Sequence, residues 1–236
     1  MEIVNALLAA GVDLNPQLNM RRLSNQGGRF SDPLLSSGTT PLLRALVGNN
    51  MDIARLLIEK GANPNIYAMG LSPFLYAAGV TSATYNAVRG GAGGAVNTQL
   101  LDLMILHGGE VNAQVNGAVN YSGRIARALT GDPVNTKSNE GMTALHVAVR
   151  SGNTNFVRYL LEHGARADIV DASGRTPLDV LNGVPALQPA IFADASGVAK
   201  PAAATDAPAA ARGGGNPAAT QEIRELLQKA LQDQKK

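Results

Sequence analysis

Residues 141–168 read GMTALHVAVRSGNTNFVRYLLEHGARAD, and this stretch decides the fold. It contains two short amphipathic helical segments separated by a polar loop. Thr143 is of the residue type that caps a helix N-terminus, and Gly164 suits the position after a helix, because glycine adopts positive φ at no steric cost. The stretch therefore predicts a turn, a helix, a short loop, a second helix and a glycine stop.

The second-helix phrase occurs four times along the chain. Each copy carries leucines at helical spacing and ends at a glycine. The four copies are MEIVNALLAAGVDLN (1–15), MDIARLLIEKGANPN (51–65), TQLLDLMILHGGEVN (98–112) and TNFVRYLLEHGARAD (154–168). The chain is thus built from repeats.

A turn phrase of the form Gly-x-Thr-Pro-Leu precedes the first helices. Serine or threonine caps the helix, and proline fits its first turn because the missing N–H would have no partner there. The phrases are GTTPL (38–42), GLSPF (70–74), GMTAL (141–145) and GRTPL (174–178). Corresponding positions lie 32 residues apart from Pro41 to Pro73 and 33 apart from Ala144 to Pro177.

These phrases, in phase at this period, resemble the ankyrin repeat, whose length is about 33 residues. The resemblance covers roughly residues 1–15, 36–79, 97–112 and 138–181. It implies an all-α fold: an ankyrin-repeat solenoid of helix-turn-helix repeats with turn or β-finger connections. It also implies protein recognition through the concave face and the turn fingers.

The predicted domain organisation follows from the repeats and from composition. Residues 1–181 form the repeat array, with a partial first repeat at 1–15 and insertions at 16–37, 79–96 and 113–137. Residues 182–217 are rich in Ala, Pro and Gly and are predicted to be an insertion or linker. Residues 218–236 contain a C-terminal helix, which we predict to be the second helix of a capping repeat; the alternative is an independent tail helix. The insertions are either functional loops or neutral surface growth.

Residues 2–10 are predicted to be a second helix whose first helix is missing. Two explanations stay open. The sequence is a piece of a longer protein, or residues 16–37 fold back as a cap. The open flank also supports an alternative function, namely a structural or assembly subunit that self-associates through its N-terminal repeat.

Composition argues against several other classes of protein. The 236 residues include no cysteine, which excludes disulfides and thiolate metal sites, and the net charge of +2 is too small for a basic face. Arg21, Arg22 and Arg29 lack interleaved aromatic residues, so we predict no nucleic-acid binding. No apolar run is long enough for membrane insertion, and no signal peptide precedes the first repeat. The cytoplasm is the default location, and export stays open if the N-terminus shown is not the native one.

The sequence offers no constellation of catalytic residues. His107 and His163 precede glycine stops at helix ends, and His146 occupies the position where the family's histidine bonds turn backbone. Asp13, Asp168 and Asp171 occupy turn positions. We therefore predict no enzyme activity, no metal and no cofactor.

The predicted function is a non-catalytic scaffold that binds a protein partner whose identity the sequence does not give. The candidate contact residues lie in the turn fingers and at the end of a first helix. They are Met69, Leu71, Asn139, Glu140, Met142, Arg150, Ser173 and Arg175. The apolar residues among them either form an exposed, adaptable patch or pack between neighbouring fingers.

Overall fold

A computed structural model describes residues 1–18, 38–68, 70–80, 96–116, 139–184 and 217–234. Helices are the regular elements of these residues, and the extended pairing among them is one isolated antiparallel bridge between Ala68 and Leu71. The all-α prediction is confirmed. The helices are α1 (Glu2–Ala9), α2 (Pro41–Val47), α3 (Met51–Glu59), α4 (Pro73–Ala77), α5 (Thr98–Leu106), α6 (Ala144–Arg150), α7 (Thr154–Glu162), α8 (Pro177–Leu181) and α9 (Pro217–Asp233).

The first helix of each repeat begins at the predicted cap. The side chains of Thr40 and Ser72 accept hydrogen bonds from backbone N–H groups three residues later, at 3.3 and 3.2 Å. Thr143 and Thr176 do the same for α6 and α8, at 3.4 and 3.2 Å. These bonds satisfy donors that the helix itself leaves without partners, so the predicted helix starts are confirmed.

Residues 1–140 form the first of two compact units. In it α2 packs against α3 and α4, and α5 packs against α3 and α4. Leu42, Ile58, Phe74 and Leu101 are fully buried between these helices. The first helices thus pair with the second helices and stack on one another, as the repeat pattern predicts.

Residues 141–236 form the second unit. Helix α6 packs against α7 and α8, and α9 packs against both α7 and α8. Its core includes the fully buried side chains of Leu145, Leu160, Ile223 and Leu227.

Helix α9 is docked through both apolar and polar contacts. Its apolar residues Ile223 and Leu227 are completely buried, whereas Glu222 forms an ion pair with Arg158 of α7. Arg224 Nη2 donates to Asn182 Oδ1 at 3.3 Å. The helix begins at Pro217, one residue before the predicted segment 218–236, and ends at Asp233.

Several predictions fall on residues outside the described ranges. They concern most of the insertions at 16–37, 79–96 and 113–137, most of the Ala/Pro/Gly-rich segment at 182–217, and Met69. In the described part of the chain no helix has the length and apolar character that crossing a membrane requires.

Candidate functional site

The turn before α8 is organised by a buried ion pair. Asp171 Oδ1 accepts from the backbone N–H groups of Ser173 and Arg175, at 2.8 and 3.0 Å. Asp171 Oδ2 accepts from Arg175 Nε and Nη2, both at 2.9 Å. Both side chains are buried, so the guanidinium of Arg175 serves the scaffold.

His146 connects this turn to the preceding one. The Thr143 backbone N–H donates to His146 Nδ1 at 3.2 Å, so Nε2 carries the proton and donates to the Arg175 carbonyl at 3.0 Å. Burial lowers the pKa of His146 and keeps the ring neutral. The histidine therefore holds two turns together, as the family resemblance implies.

Two predicted contact residues meet beside this network. Arg150 Nη1 donates to Met142 Sδ at 3.5 Å, and Arg150 is half-buried at the end of α6. A Cβ placed on Gly141 would lie 2.4 Å from the Ala172 backbone nitrogen, so the two turns touch at this point. We call the accessible residues Arg150, Ala172 and Ser173 the finger surface of the second unit.

Of the two alternatives for the apolar finger residues, exposure or burial, the structure shows burial for Leu71 and Met142. Leu71 is 2% exposed and forms the bridge with Ala68, and Met142 is 4% exposed beneath Arg150. Apolar side chains gain free energy by leaving water, and the fingers pack closely enough to allow it. Leu71 and Met142 therefore do not contribute to an exposed apolar patch.

The remaining predicted contact residues differ in accessibility. Asn139 is buried, and Glu140 and Ser173 are half-buried. The structure brings Arg150 into contact with Met142 in the second unit, while Leu71 belongs to the first unit. Met69 lies outside the described residues. Binding roles for Asn139 and Glu140 stay predictions.

His163 and Asp168 each have a hydrogen-bond partner within the second unit. Among the described residues no group of three or more His, Asp or Glu side chains could hold a metal ion. His163 Nδ1 lies 2.8 Å from the Tyr159 carbonyl, and its ring lies against that of Tyr159. The side-chain hydrogen bond from Arg166 lowers the pKa of Asp168, which stands in the next turn.

Two features of the first unit have no clear signal in the sequence. Tyr67 donates its hydroxyl hydrogen to the Gln114 carbonyl at 2.8 Å, and burial, together with the charge of Glu110, raises the pKa of Tyr67. A groove of about 380 Å³ also lies between α1 and the helices α2 and α3. The open flank of α1 was predictable, but neither the size nor the lining of the groove was.

Comparison with known proteins identifies the repeats. Residues 95–181 match the family described as ankyrin repeats in three copies, and residues 37–68 match the ankyrin repeat. The chain belongs to the ankyrin-repeat family. Ankyrin repeats are typically protein–protein interaction modules, and both matching families are repeat families without a catalytic domain.

Two relatives are similar to this chain over short segments. The tyrosine-protein kinase HTK16 of Hydra vulgaris is 46% identical over 48 residues, which are 20% of this chain and 6% of the kinase. The potassium channel AKT3 of Oryza sativa subsp. japonica is 46% identical over 59 residues, which are 25% of this chain and 6% of the channel. The chain thus spans only about 6% of the length of each of these relatives.

Proposed function

We propose that this ankyrin-repeat protein is a non-catalytic scaffold that binds a protein partner through the finger surface of the second unit. The observation that carries the proposal is the position of Arg150. Its guanidinium lies over the buried Met142 sulfur, next to the point where two turns touch.

The chemistry of Arg150 suits protein recognition. A guanidinium presents several N–H donors in one plane, and arginine is enriched among residues that dominate interface energies. Arg150 is half-buried and already positioned, so less side-chain entropy is lost when a partner binds. A carboxylate or a carbonyl of the partner is the complementary group.

Buried polar residues support this assignment indirectly. His146, Asp171 and Arg175 hold the turns in place by hydrogen bonds within the scaffold. A rigid backbone at Ala172 and Ser173 then offers the partner a fixed surface. In this proposal Arg175 and Met142 position the contact residues and do not themselves touch the partner.

We also propose that α9 closes the array as the second helix of a capping repeat. Its packing against α8 and α7 supports this, because α7 stands in the same relation to α6. The exposed Gln221, Glu222, Glu225 and Lys229 give the helix a polar outer face, which a terminal repeat requires.

The test compares a charge reversal at the finger surface with a matched reversal elsewhere. Arg150→Glu alters the proposed contact, and Arg55→Glu alters an exposed arginine on α3. After circular dichroism has shown that both variants fold, each is used to capture proteins from a lysate, with quantitative mass spectrometry. We expect a protein that the wild type and Arg55→Glu enrich equally and that Arg150→Glu enriches at least about ten-fold less.

The binding constants are then measured with the purified partner. If Arg150→Glu binds the partner as tightly as the wild type does, the finger surface of the second unit is not the contact.

A further inference from the structure

Helix α9 is joined to the helix before it by a much longer connection than α7 is. Only residues 151–153 separate α6 from α7, whereas residues 182–216 separate α8 from α9. Closing a long connection costs more chain entropy than closing a short one, so this connection does less to keep α9 in place. The docked position of α9 therefore depends on its own contacts with α7 and α8.

The apolar contact of α9 is small for a helix of its length. Two of its 17 residues, Ile223 and Leu227, are buried, whereas α7 buries three of its nine residues. Burial of apolar side chains supplies most of the free energy with which helices pack in a protein. We therefore expect α9 to be held less firmly than α7.

The polar contacts of α9 lie at the surface. Glu222 pairs with Arg158 of α7, and each of these side chains is 47% exposed. Gln234 Nε2 donates to the Ala165 carbonyl, and the Ala167 N–H donates to Gln234 Oε1, both at 3.2 Å. Such contacts contribute little net free energy, because water offers the same groups comparable partners. They set the direction of α9 on the second unit more than the strength of its docking.

We propose that α9 is a displaceable helix that controls access to a helix-binding groove on α7 and α8. Helix α9 leaves this groove while α6, α7 and α8 stay folded, since a local opening exposes less apolar surface than global unfolding does. The groove then accepts a helix of another protein that has the pattern of α9. That pattern is two apolar residues four positions apart, as in Ile223 and Leu227, directly preceded by an acidic residue that pairs with Arg158. This inference rests on the proposed place of α9 in the capping repeat.

The first test measures thiol reactivity, which is selective because the chain contains no cysteine. Leu227→Cys places a thiol on the buried face of α9, and Leu160→Cys is the matched variant, because both leucines are completely buried. Gln228→Cys, at an exposed position of α9, gives the rate of an accessible thiol. With a chromogenic disulfide reagent and no denaturant, Leu227→Cys should react at least about ten-fold faster than Leu160→Cys and at least about ten-fold more slowly than Gln228→Cys.

The three rates separate this inference from the proposal on which it rests. If Leu227→Cys reacts as slowly as Leu160→Cys, α9 opens only when the whole unit unfolds. The displaceable helix would then be wrong, and the capping repeat would stand. If Leu227→Cys reacts as fast as Gln228→Cys, α9 is not docked, and both proposals would be wrong.

The second test supplies the helix as a separate molecule. The probe is a fluorescent peptide of residues 217–234, and its binding to the full chain is followed by fluorescence anisotropy. Leu227→Asp in the chain places a charge in the apolar contact and undocks the chain's own α9. We expect this variant to bind the peptide at least about ten-fold more tightly than the wild type, in which α9 competes within the same molecule.

A peptide that itself carries Leu227→Asp is the control, and it should bind neither chain. Equal affinities of the unchanged peptide for the wild type and for a Leu227→Asp chain that circular dichroism shows to be folded would overturn the helix-binding groove. If that variant does not fold, the thiol rates of the first test decide, because they are measured without it. Neither test involves Arg150, so the finger surface and the displaceable helix can fail separately.

Discussion

At the scale of single residues, the fingers of the second unit depend on buried polar groups. Thr143, His146, Asp171 and Arg175 form one connected set of hydrogen bonds. Burial of such groups costs free energy unless each finds a partner, and here the partners are present. Substitution of one of these residues would leave its partners buried without a hydrogen bond. We therefore expect substitutions at these positions to lower the free energy of unfolding.

The pKa of His146 makes stability depend on pH. Since burial lowers that pKa below the ordinary value of 6.5, the unfolded chain binds the proton more readily than the folded chain. The stabilisation is fully present above pH 6.5 and is lost as pH falls below it. We expect the urea concentration at the unfolding midpoint of the second unit to decrease as the pH is lowered from about 7.5 to about 5.

His146→Gln should be less stable at neutral pH and should show a smaller change over the same range. His107→Gln is the control, because His107 is exposed in the first unit, and it should retain the wild-type pH dependence. Equal pH dependence in wild type and His146→Gln would show that another group is responsible.

Gly141 and Gly152 have the same backbone conformation but different neighbours. Substitutions at the two positions therefore distinguish the cost of backbone strain from the cost of steric crowding. Gly141 and Gly152 have φ of 70° and 69°, but a Cβ on Gly141 would meet Ala172 backbone atoms, whereas one on Gly152 meets nothing within 4 Å. We expect Gly152→Ala to cost about 1 kcal/mol of unfolding free energy through conformation alone. Gly141→Ala should cost about 1–3 kcal/mol more, since the turns must separate. Equal costs in urea denaturation would contradict the contact between the turns.

At the scale of elements, most helices of the repeats are too short to be stable alone. Helices α2 to α8 have five to nine residues each, well below the length at which an isolated helix persists in water. Their stability therefore comes from caps and from packing against neighbours. Helix α9 is longer, with 17 residues, but its average character is polar and two of its side chains form the buried contact.

The docking of α9 can be measured at its buried face. Leu227→Ala removes a fully buried side chain and should cost about 2–5 kcal/mol. Leu226→Ala, at the neighbouring half-buried position, should cost clearly less. Urea denaturation followed by circular dichroism measures both. An independent tail helix would instead give equal and negligible costs.

At the scale of the whole molecule, the two units have different surfaces. Among the described residues, the exposed large apolar side chains of the first unit are concentrated in its first 18 residues, at Met1, Ile3, Leu7, Val12 and Leu18, with Leu106 as a further one. The second unit has two such residues, Val170 and Val184, and also presents paired charges, such as Arg158 with Glu222 and Arg166 with Asp168.

The sequence by itself determined the repeat family and the beginning and end of the helices. Caps such as Thr143 and stops such as Gly164 act within a few residues of the chain, so their pattern reports local structure directly. The scaffold role of His146 was also accessible, because the turn motif places it at a family position.

Only the tertiary structure decided which finger residues face water. Leu71 and Met142 follow turn glycines and could be exposed on local grounds, yet both are buried. The contacts between Gly141 and Ala172, and between His146 and Arg175, join residues about one repeat apart. Burial of Leu227 and the groove beside α1 likewise depend on packing between distant segments. Burial depends on which residues are neighbours in space. A periodic sequence shows which residues are apolar, but it does not show which other residues will cover them.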